Sequence, residues 1–271
     1  MKLTTKIVLG IIISIFLLSI GFIIGLSFID TGEYSGVSLP SISQENIISV
    51  EVAPYQTIRI DEELMQGEHD FSFGGTILIK PITNEGEKNK LFLPEELLRF
   101  TDIASSNDTL IIRLKMDEQY LSDQKTNRRT LYALGGANFF IHPSTVDVIC
   151  NLSGIKVDIR NMETERIKIN TSGEVTIDSC QANLIEPSMN RWWAFSLKNS
   201  RVRELTVDLD QIGRLGLIEN CDIEVKNLTG SGNHRTDLSK SEAKTMNWIP
   251  KNKDAQLVVT LHGDTAKVMF P

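Results

Sequence analysis

Residues 155–225 read IKVDIRNMETERIKINTSGEVTIDSCQANLIEPSMNRWWAFSLKNSRVRELTVDLDQIGRLGLIENCDIEV, and a short theme returns in them about every twenty residues. Ile159, Ile177, Leu197 and Ile218 align, and the alignment extends to Leu238 and Leu261, at intervals of 18, 20, 21, 20 and 23 residues. Two residues after each comes a small or polar residue: Asn161, Ser179, Asn199, Asn220, Lys240 and Gly263. Met162, Cys180, Ser200, Cys221, Ser241 and Asp264 follow, and a short alternating apolar stretch such as Leu205/Val207/Leu209, Ile223/Val225 or Met246/Trp248 closes the unit. A period of this length is that of a solenoid, in which one copy cannot bury its apolar face alone and copies stack into a continuous core.

The unit is a strand. Apolar residues fall at i and i+2 in Val157/Ile159, Ile167/Ile169, Val175/Ile177, Leu215/Leu217 and Leu257/Val259/Leu261, with Lys, Asp, Glu, Thr or Arg between them. Period two marks a strand with one buried and one wet face, and Val and Ile suit it. Asn, Ser, Gly and Asp sit between the pairs, where a chain turns. A leucine-rich repeat is excluded by the missing leucine-asparagine ladder and by the lack of a helical stripe. The expected fold is therefore all-β: a single-stranded, right-handed β-helix of about six regular coils, roughly 29 Å tall at ~4.8 Å per coil. Cys180 and Cys221 share a repeat position two copies apart, so stacking holds them roughly 10 Å from each other, beyond disulfide reach. They read as packing residues, as does Cys150 in the run Val146/Val148/Cys150/Leu152.

The opening of the chain fixes an expected location. Ile7 to Ile29 is an uncharged run of 23 residues rich in Ile, Leu and Phe, which as a helix reaches roughly 35 Å and spans a bilayer. Lys2 and Lys6 precede it and Asp30 and Glu33 follow, so residues 1–6 are expected in the cytoplasm and the rest outside. The run is too long for the apolar region of a signal peptide, and Gly25-Leu26-Ser27-Phe28 is a poor cleavage site; a secreted or surface-exposed product after cleavage is the alternative. Gly21 and Gly25 form a GxxxG pair that could bring two anchors together as a homodimer. Six cytoplasmic residues are too few for a folded output domain, which argues against a one-component receptor.

The net charge is −7; without Lys2 and Lys6 the outer part carries −9, from 26 basic and 35 acidic residues. That balance favours solubility and excludes nucleic acid as a partner. Three cysteines cannot make a disulfide scaffold. Residues 30–45 read as a spacer, 46–145 as an N-terminal β region and 146–271 as the repeats. In the β region, Ile48/Val50/Val52 and Ile58/Ile60 are strands, Gly74-Gly75 suggests a hairpin or tight bend, and Pro94–Phe100 a short helix. Leu110/Ile112/Leu114 is a strand after an Asn107-Asp108 turn, and Asp117 to Thr130 a polar loop. The whole is expected to form irregular early coils or a cap that covers an open solenoid end.

The stretch IHPSTVDVICNLSGIKVDIRNMETERIKINTSGEVTIDSC, residues 141–180, resembles the GIN-domain family, also called the auto-transporter adhesin head domain. A Pro-containing strand is followed by short strands joined by Ser-Gly turns, here Ser153-Gly154 and Ser172-Gly173, and SSNDTLIIRLKM upstream is similar to the strand preceding the coils in that family. The resemblance covers roughly Ile47 to Pro271; it implies an exported bacterial β-solenoid at the cell surface or in the periplasm and brings no catalytic residues. The later coils depart from the family pattern, with Asn-Ser, Asn-Cys and Lys-Ser in place of Ser-Gly.

Solenoids of this kind also cleave polysaccharide. Asp208 and Asp210 point to one face if Val207 and Leu209 point inward, and Asp178, Asp158 or Glu224 could join them from neighbouring coils. Two such carboxylates suit glycosidic cleavage, or lyase chemistry with a bound Ca²⁺. A mixed ladder of ion pairs with Lys168, Lys198, Lys226 and Arg160 explains them equally. His69, His142, His234 and His262 lack metal-ligand spacing, and no phosphate loop, nucleophile elbow or zinc motif is present. No cofactor is implied, and Gly230–His234 reads as a loop between coils. The best binding candidates are Arg191 and Trp192, because Trp192 would point outward next to a Trp193 that is inward or at a corner, and could stack on a sugar or anchor a protein; the alternative is that both indoles cover the side of the coils together with Trp248. The favoured function is a non-enzymatic, membrane-anchored envelope protein that presents a surface for protein or glycan contact. The alternative is a polysaccharide-cleaving enzyme using Asp208 and Asp210.

Overall fold

The computed structural model describes residues 37–38, 46–63, 70–115, 128–132, 137–141, 145–152, 154–189, 194–212, 214–239 and 243–262. The chain divides into two compact units, Met1–Val37 and Ser38–Pro271, and the fold described below belongs to the second. The expected anchor at 7–29, with Gly21 and Gly25, lies outside the described residues. Among the described residues no helix is long and apolar enough to cross a membrane.

Alternating Val and Ile build two walls of parallel strands. The long wall is a nine-stranded sheet in the order Thr245–Pro250, Asp222–Gly230, Arg201–Asp208, Gln181–Met189, Glu163–Thr171, Thr145–Cys150, Thr57–Glu62, Thr109–Leu114, Thr101–Ser106. The other wall, called short for the shorter strands of its coils, belongs to a ten-stranded sheet; it stacks Arg214–Glu219, Ala194–Lys198, Val175–Asp178, Ile155–Arg160 and Asp70–Pro81, and Ala137–Ile141, Lys90–Pro94 and Ile47–Glu51 continue it. A coil takes one strand from each wall, so the chain winds into a solenoid of about five turns, not the six expected. The shortfall has a defined place. Ile79, Ile159, Ile177, Leu197 and Ile218 are in register, but Leu238 does not continue that file; it pairs with Leu261 in a separate two-stranded sheet, Asn233–Ser239 with Gln256–His262.

Inside, side chains stack in files. Ile77, Val157, Val175 and Phe195 form one, Ile79, Ile159, Ile177 and Leu197 another, and all eight are fully buried. Burying each aliphatic side chain is worth roughly 1.5–3 kcal/mol, so files of this kind outweigh any surface contact in holding the coils together. The long wall departs from strict alternation. Thr164 and Ile167, Ala182 and Ile185, Val202 and Leu205, and Ile223 and Lys226 all point inward, three residues apart, with two outward residues between them. Each coil therefore bends there, and the expected inward pair Ile223/Val225 becomes Ile223/Lys226. Pro187 is buried in this wall, and the pairing of Gln181–Met189 with Arg201–Asp208 ends at Ile185↔Leu205, just before the residue that has no N–H to give.

The corner from the short wall to the long one explains the repeat. Asn161, Ser179, Asn199 and Asn220 have φ of 57°, 57°, 48° and 54°, the left-handed conformation that Asn tolerates better than most side chains. The next residue turns inward: Met162, Cys180 and Ser200 are buried and Cys221 is half-buried. At Ser172-Gly173 a Cβ on Gly173 would collide with the Ile155 carbonyl, and one on Gly154 with that of Phe73; the glycines are there because coil backbones pass closely.

An early coil is present, and further strands continue from it. Thr57–Glu62 and Asp70–Pro81 lie under Thr145–Cys150 and Ile155–Arg160 in parallel register, so the residues between form an insertion at the end of the stack. Lys90–Pro94 in this insertion pairs antiparallel with Ile47–Glu51, which precedes the early coil, and Thr101–Ser106 pairs antiparallel with Thr109–Leu114. Asn107 and Asp108, at φ 48° and 58°, form the two-residue turn of that hairpin. No hairpin forms at Gly74-Gly75: Asp70–Pro81 is one 12-residue strand, with the bend taken up by Gly75 at φ 130°. The expected short helix is a 3-10 turn, Glu95–Phe100, that buries Leu97 and Phe100. Arg128–Thr130, expected in a loop, begins a strand reaching Tyr132.

Candidate functional site

Val207 and Leu209 are buried, so Asp208 and Asp210 do emerge on the same side of the long wall. The structure then closes them. Lys251 Nζ lies 2.7 Å from both oxygens of Asp208 and 2.9 Å from Asp210 Oδ2. Asp210 also accepts the Ser231 N–H at 2.9 Å on both oxygens and stands 2.9 Å from His234 Nε2. Asn252 Nδ2 donates to the Ser231 carbonyl at 2.9 Å, and His234 meets Trp248 edge-on, centroids 6.2 Å apart. The Ser231 N–H and the Lys251 ammonium hold the Asp210 carboxyl well below the usual carboxylate range, while Asp208 and Asp210 raise the Lys251 ammonium. A general acid needs a carboxyl raised toward the working pH, and a glycosidase pair needs a gap of at least ~5 Å that admits a sugar or water. The Asp210 carboxyl is lowered, not raised, and both acids are already engaged by one ammonium. Their chemistry is that of a staple joining three successive coils at the corner opposite the asparagines.

The other expected acids are elsewhere. Asp158 and Asp178 belong to the short wall, where Arg160, Asp178, Lys198 and Glu219 stack with alternating charge. Asp158 is buried against Arg160, whose Nη2 lies 2.6 Å away. Lys226 is not in an outward ladder: it is fully buried, in file with Ile167, Ile185, Leu205 and Met246. Arg191 and Trp192 lie outside the described residues. Among described His, Cys, Asp and Glu, no group of three could hold a metal ion.

A recess runs along the asparagine corner over four coils. It has a volume of about 690 Å³ and is lined by Asn161, Ser179, Asn199 and Asn220, by Met162, Cys180, Ser200 and Cys221, and by Glu163, Gln181, Arg201 and Asp222. Its floor is locked to the backbone. Met162 N–H donates to Cys180 Sγ at 3.4 Å and Cys180 N–H to Ser200 Oγ at 3.0 Å, while Cys180 and Cys221 donate back to the carbonyls of Asp178 and Glu219 at 3.3 and 3.2 Å. Burial pushes the Cys180 thiol up to about 11 and raises that of Cys221. The wall is a ladder: Asn220 Nδ2 donates to Asn199 Oδ1 at 3.3 Å, and Asn199 Nδ2 to Asp178 Oδ1 at 2.9 Å, where Ser179 Oγ also donates at 3.0 Å. The Asn199 amide is the main cause holding the Asp178 carboxyl low. The repeat shows the corner itself, but nothing in a linear sequence marks the opposite wall of the recess, Glu163, Gln181, Arg201 and Asp222. Lys251 is likewise invisible beside Asp208, because 43 residues separate them.

No family model matches the chain, and no curated protein matches it. Among solved structures it is similar to a "putative adhesin" of Bacteroides fragilis, at 11% identity and TM-score 0.42, over 82% of this chain and 98% of that one. It is similar at 11% identity to a "putative adhesin" of Parabacteroides distasonis (TM-score 0.40, 80% and 96% covered) and to a "putative lipid binding protein" of the same species (0.31, 81% and 94%). Likenesses this distant do not decide what this chain binds.

Proposed function

We propose that this protein is a non-enzymatic β-helix of the bacterial cell envelope, tethered by residues 7–29 with its solenoid outside the cytoplasm, that presents its outer surface to a protein or glycan partner. This is the role implied by the resemblance to GIN-domain proteins, and membership of that family is part of the proposal. The observation that carries it is the contrast between the two corners. At one, Asp208 and Asp210 are consumed by Lys251, Ser231 and His234; at the other, a polar recess stays open along four coils. Arg191 and Trp192 are proposed as a second contact point, and Gly21 and Gly25 as a packing face between two anchors.

The test uses the full chain, purified in detergent and incubated with a polysaccharide panel while reducing ends and unsaturated products are followed. Absence of turnover, together with saturable binding of a glycan or an envelope protein, is the expected result. Turnover that disappears in Asp208→Asn would overturn the proposal in favour of a cleaving enzyme. Location is tested separately: the chain should stay in the membrane pellet after alkaline carbonate extraction, with its solenoid open to protease added from outside.

A further inference from the structure

The recess along the asparagine corner has a spacing, a chemistry and a charge balance that together narrow its ligand. We propose that it binds an extended, uncharged glycan chain laid parallel to the solenoid axis, about one sugar ring to each coil. This rests on the contact-surface reading above and gives that reading a site and a ligand class.

The spacing comes from the parallel pairing. Glu163↔Gln181, Gln181↔Arg201 and Arg201↔Asp222 are direct register partners, so one wall offers a hydrogen-bonding side chain every ~4.8 Å over roughly 14 Å. An extended peptide advances ~3.3 Å per residue and repeats a given face only every ~6.6 Å, which falls out of step with these rungs. A pyranose chain in an extended 1,4-linked ribbon advances close to one rung per ring and presents hydroxyls on both edges at each step.

The chemistry is that of amides. Asn199, Asn220 and Gln181 each carry a paired donor and acceptor, suited to vicinal hydroxyls, and the ladder uses one of the two donors on Asn199 and on Asn220. Because the ladder already fixes those amides on a floor locked to the backbone, little side-chain entropy remains to be lost on binding. Charge removes the other polymers. Along the wall Asp222 lies next to Arg201 and Glu163 two rungs from it, and Asp222 is itself paired with Arg201 at 3.7 Å and Lys244 at 3.0 Å. A polyuronate or a phosphate polymer would meet two carboxylates, and a polycation would meet Arg201. The lining has no aromatic ring on which a sugar could stack, so affinity must accumulate along the chain, one ring per coil.

The experiment measures binding of neutral oligosaccharides of one to eight rings (1,4-linked glucose and mannose series) to the full chain in detergent, by isothermal titration or ligand-observed NMR. Expected is weak binding that strengthens with length up to about four rings and then levels, with a loss of at least fivefold in Gln181→Ala and in Arg201→Ala. Both residues are exposed, so the variants should melt as the parent does. No binding of any neutral oligosaccharide would overturn the proposal, as would tighter binding of polygalacturonate than of the neutral series. Binding that survives both groove variants but vanishes in Trp192→Ala would overturn the groove assignment while leaving the contact-surface reading intact.

Discussion

Lys226 stacks directly on Leu205 in parallel register, and its side chain is fully buried in the file of Ile167, Ile185, Leu205 and Met246. A long unbranched side chain fills that file as a methionine would, but carries an ammonium out of water. Replacing a whole buried ion pair by apolar groups is often neutral or stabilising, but removing one member and leaving its partner behind costs ~3–5 kcal/mol. Lys226 is engaged by a neighbour, so Lys226→Met is expected to lower the melting temperature by several degrees, measured by circular dichroism. A rise would show that desolvation of the ammonium outweighs what its contact contributes.

The asparagine corners make a second prediction. At φ 48° Asn199 occupies a conformation that costs an ordinary L-residue about 1–2 kcal/mol, and its amide joins Asp178 to Asn220. Asn199→Val should lose roughly 2–3 kcal/mol through strain and the two lost bonds; Asn199→Gly should lose less. Ser179 holds the same conformation at φ 57° with a less suitable side chain, so Ser179→Asn should be neutral or slightly stabilising in urea denaturation.

Cys180 and Ser200 do the same work one coil apart, each accepting the N–H of the corner below. Cys180→Ser should be tolerated within about 1 kcal/mol, whereas Cys180→Ala leaves the buried Met162 N–H without its acceptor and should cost ~1–3 kcal/mol. Burial holds the Cys150 and Cys180 thiols up at about 11, so a thiol reagent at mildly alkaline pH should label half-buried Cys221 first.

The Asp210 staple makes stability depend on pH. Its folded carboxyl titrates below its ordinary 3.8, so its stabilisation is fully present above that value and is lost as the pH falls through the lowered one. Lys251 is raised above 10.5, so its share is present below that value and lost as the pH rises beyond it. Asp210→Asn should melt lower than the parent at neutral pH, and the gap should narrow in strong acid. A gap that stays constant down to acid would separate Asp210 from the acid transition.

Much of this was legible in the residues. Ile159, Ile177, Leu197 and Ile218 carry the register, and the Asn or Ser two places later marks a turn; that the turn is left-handed is seen only in its φ values. The rest was hidden by long-range choices. Leu238 has the same local pattern as Ile218, yet its strand leaves the short wall for a two-stranded sheet with Leu261. Lys226 reads as solvent-facing under strict alternation, and only the bend between Ile223 and Lys226 turns it inward. Asp210 and Lys251 meet because coils stack, and neither residue carries a sign of the other.

The direct test of that stacking is the distance between equivalent positions on successive coils. Nitroxide labels are placed in pairs at the exposed residues Glu163, Gln181, Arg201 and Asp222, in a background with the native cysteines replaced, and dipolar broadening is read by electron paramagnetic resonance. Stacked coils predict strong broadening for 163/181, 181/201 and 201/222 at roughly 5 Å between backbones, and a graded weakening for 163/201 and 163/222 at about 10 and 14 Å. Broadening that is absent between neighbours, or that does not decline with the number of coils, would contradict the solenoid and the groove built on it.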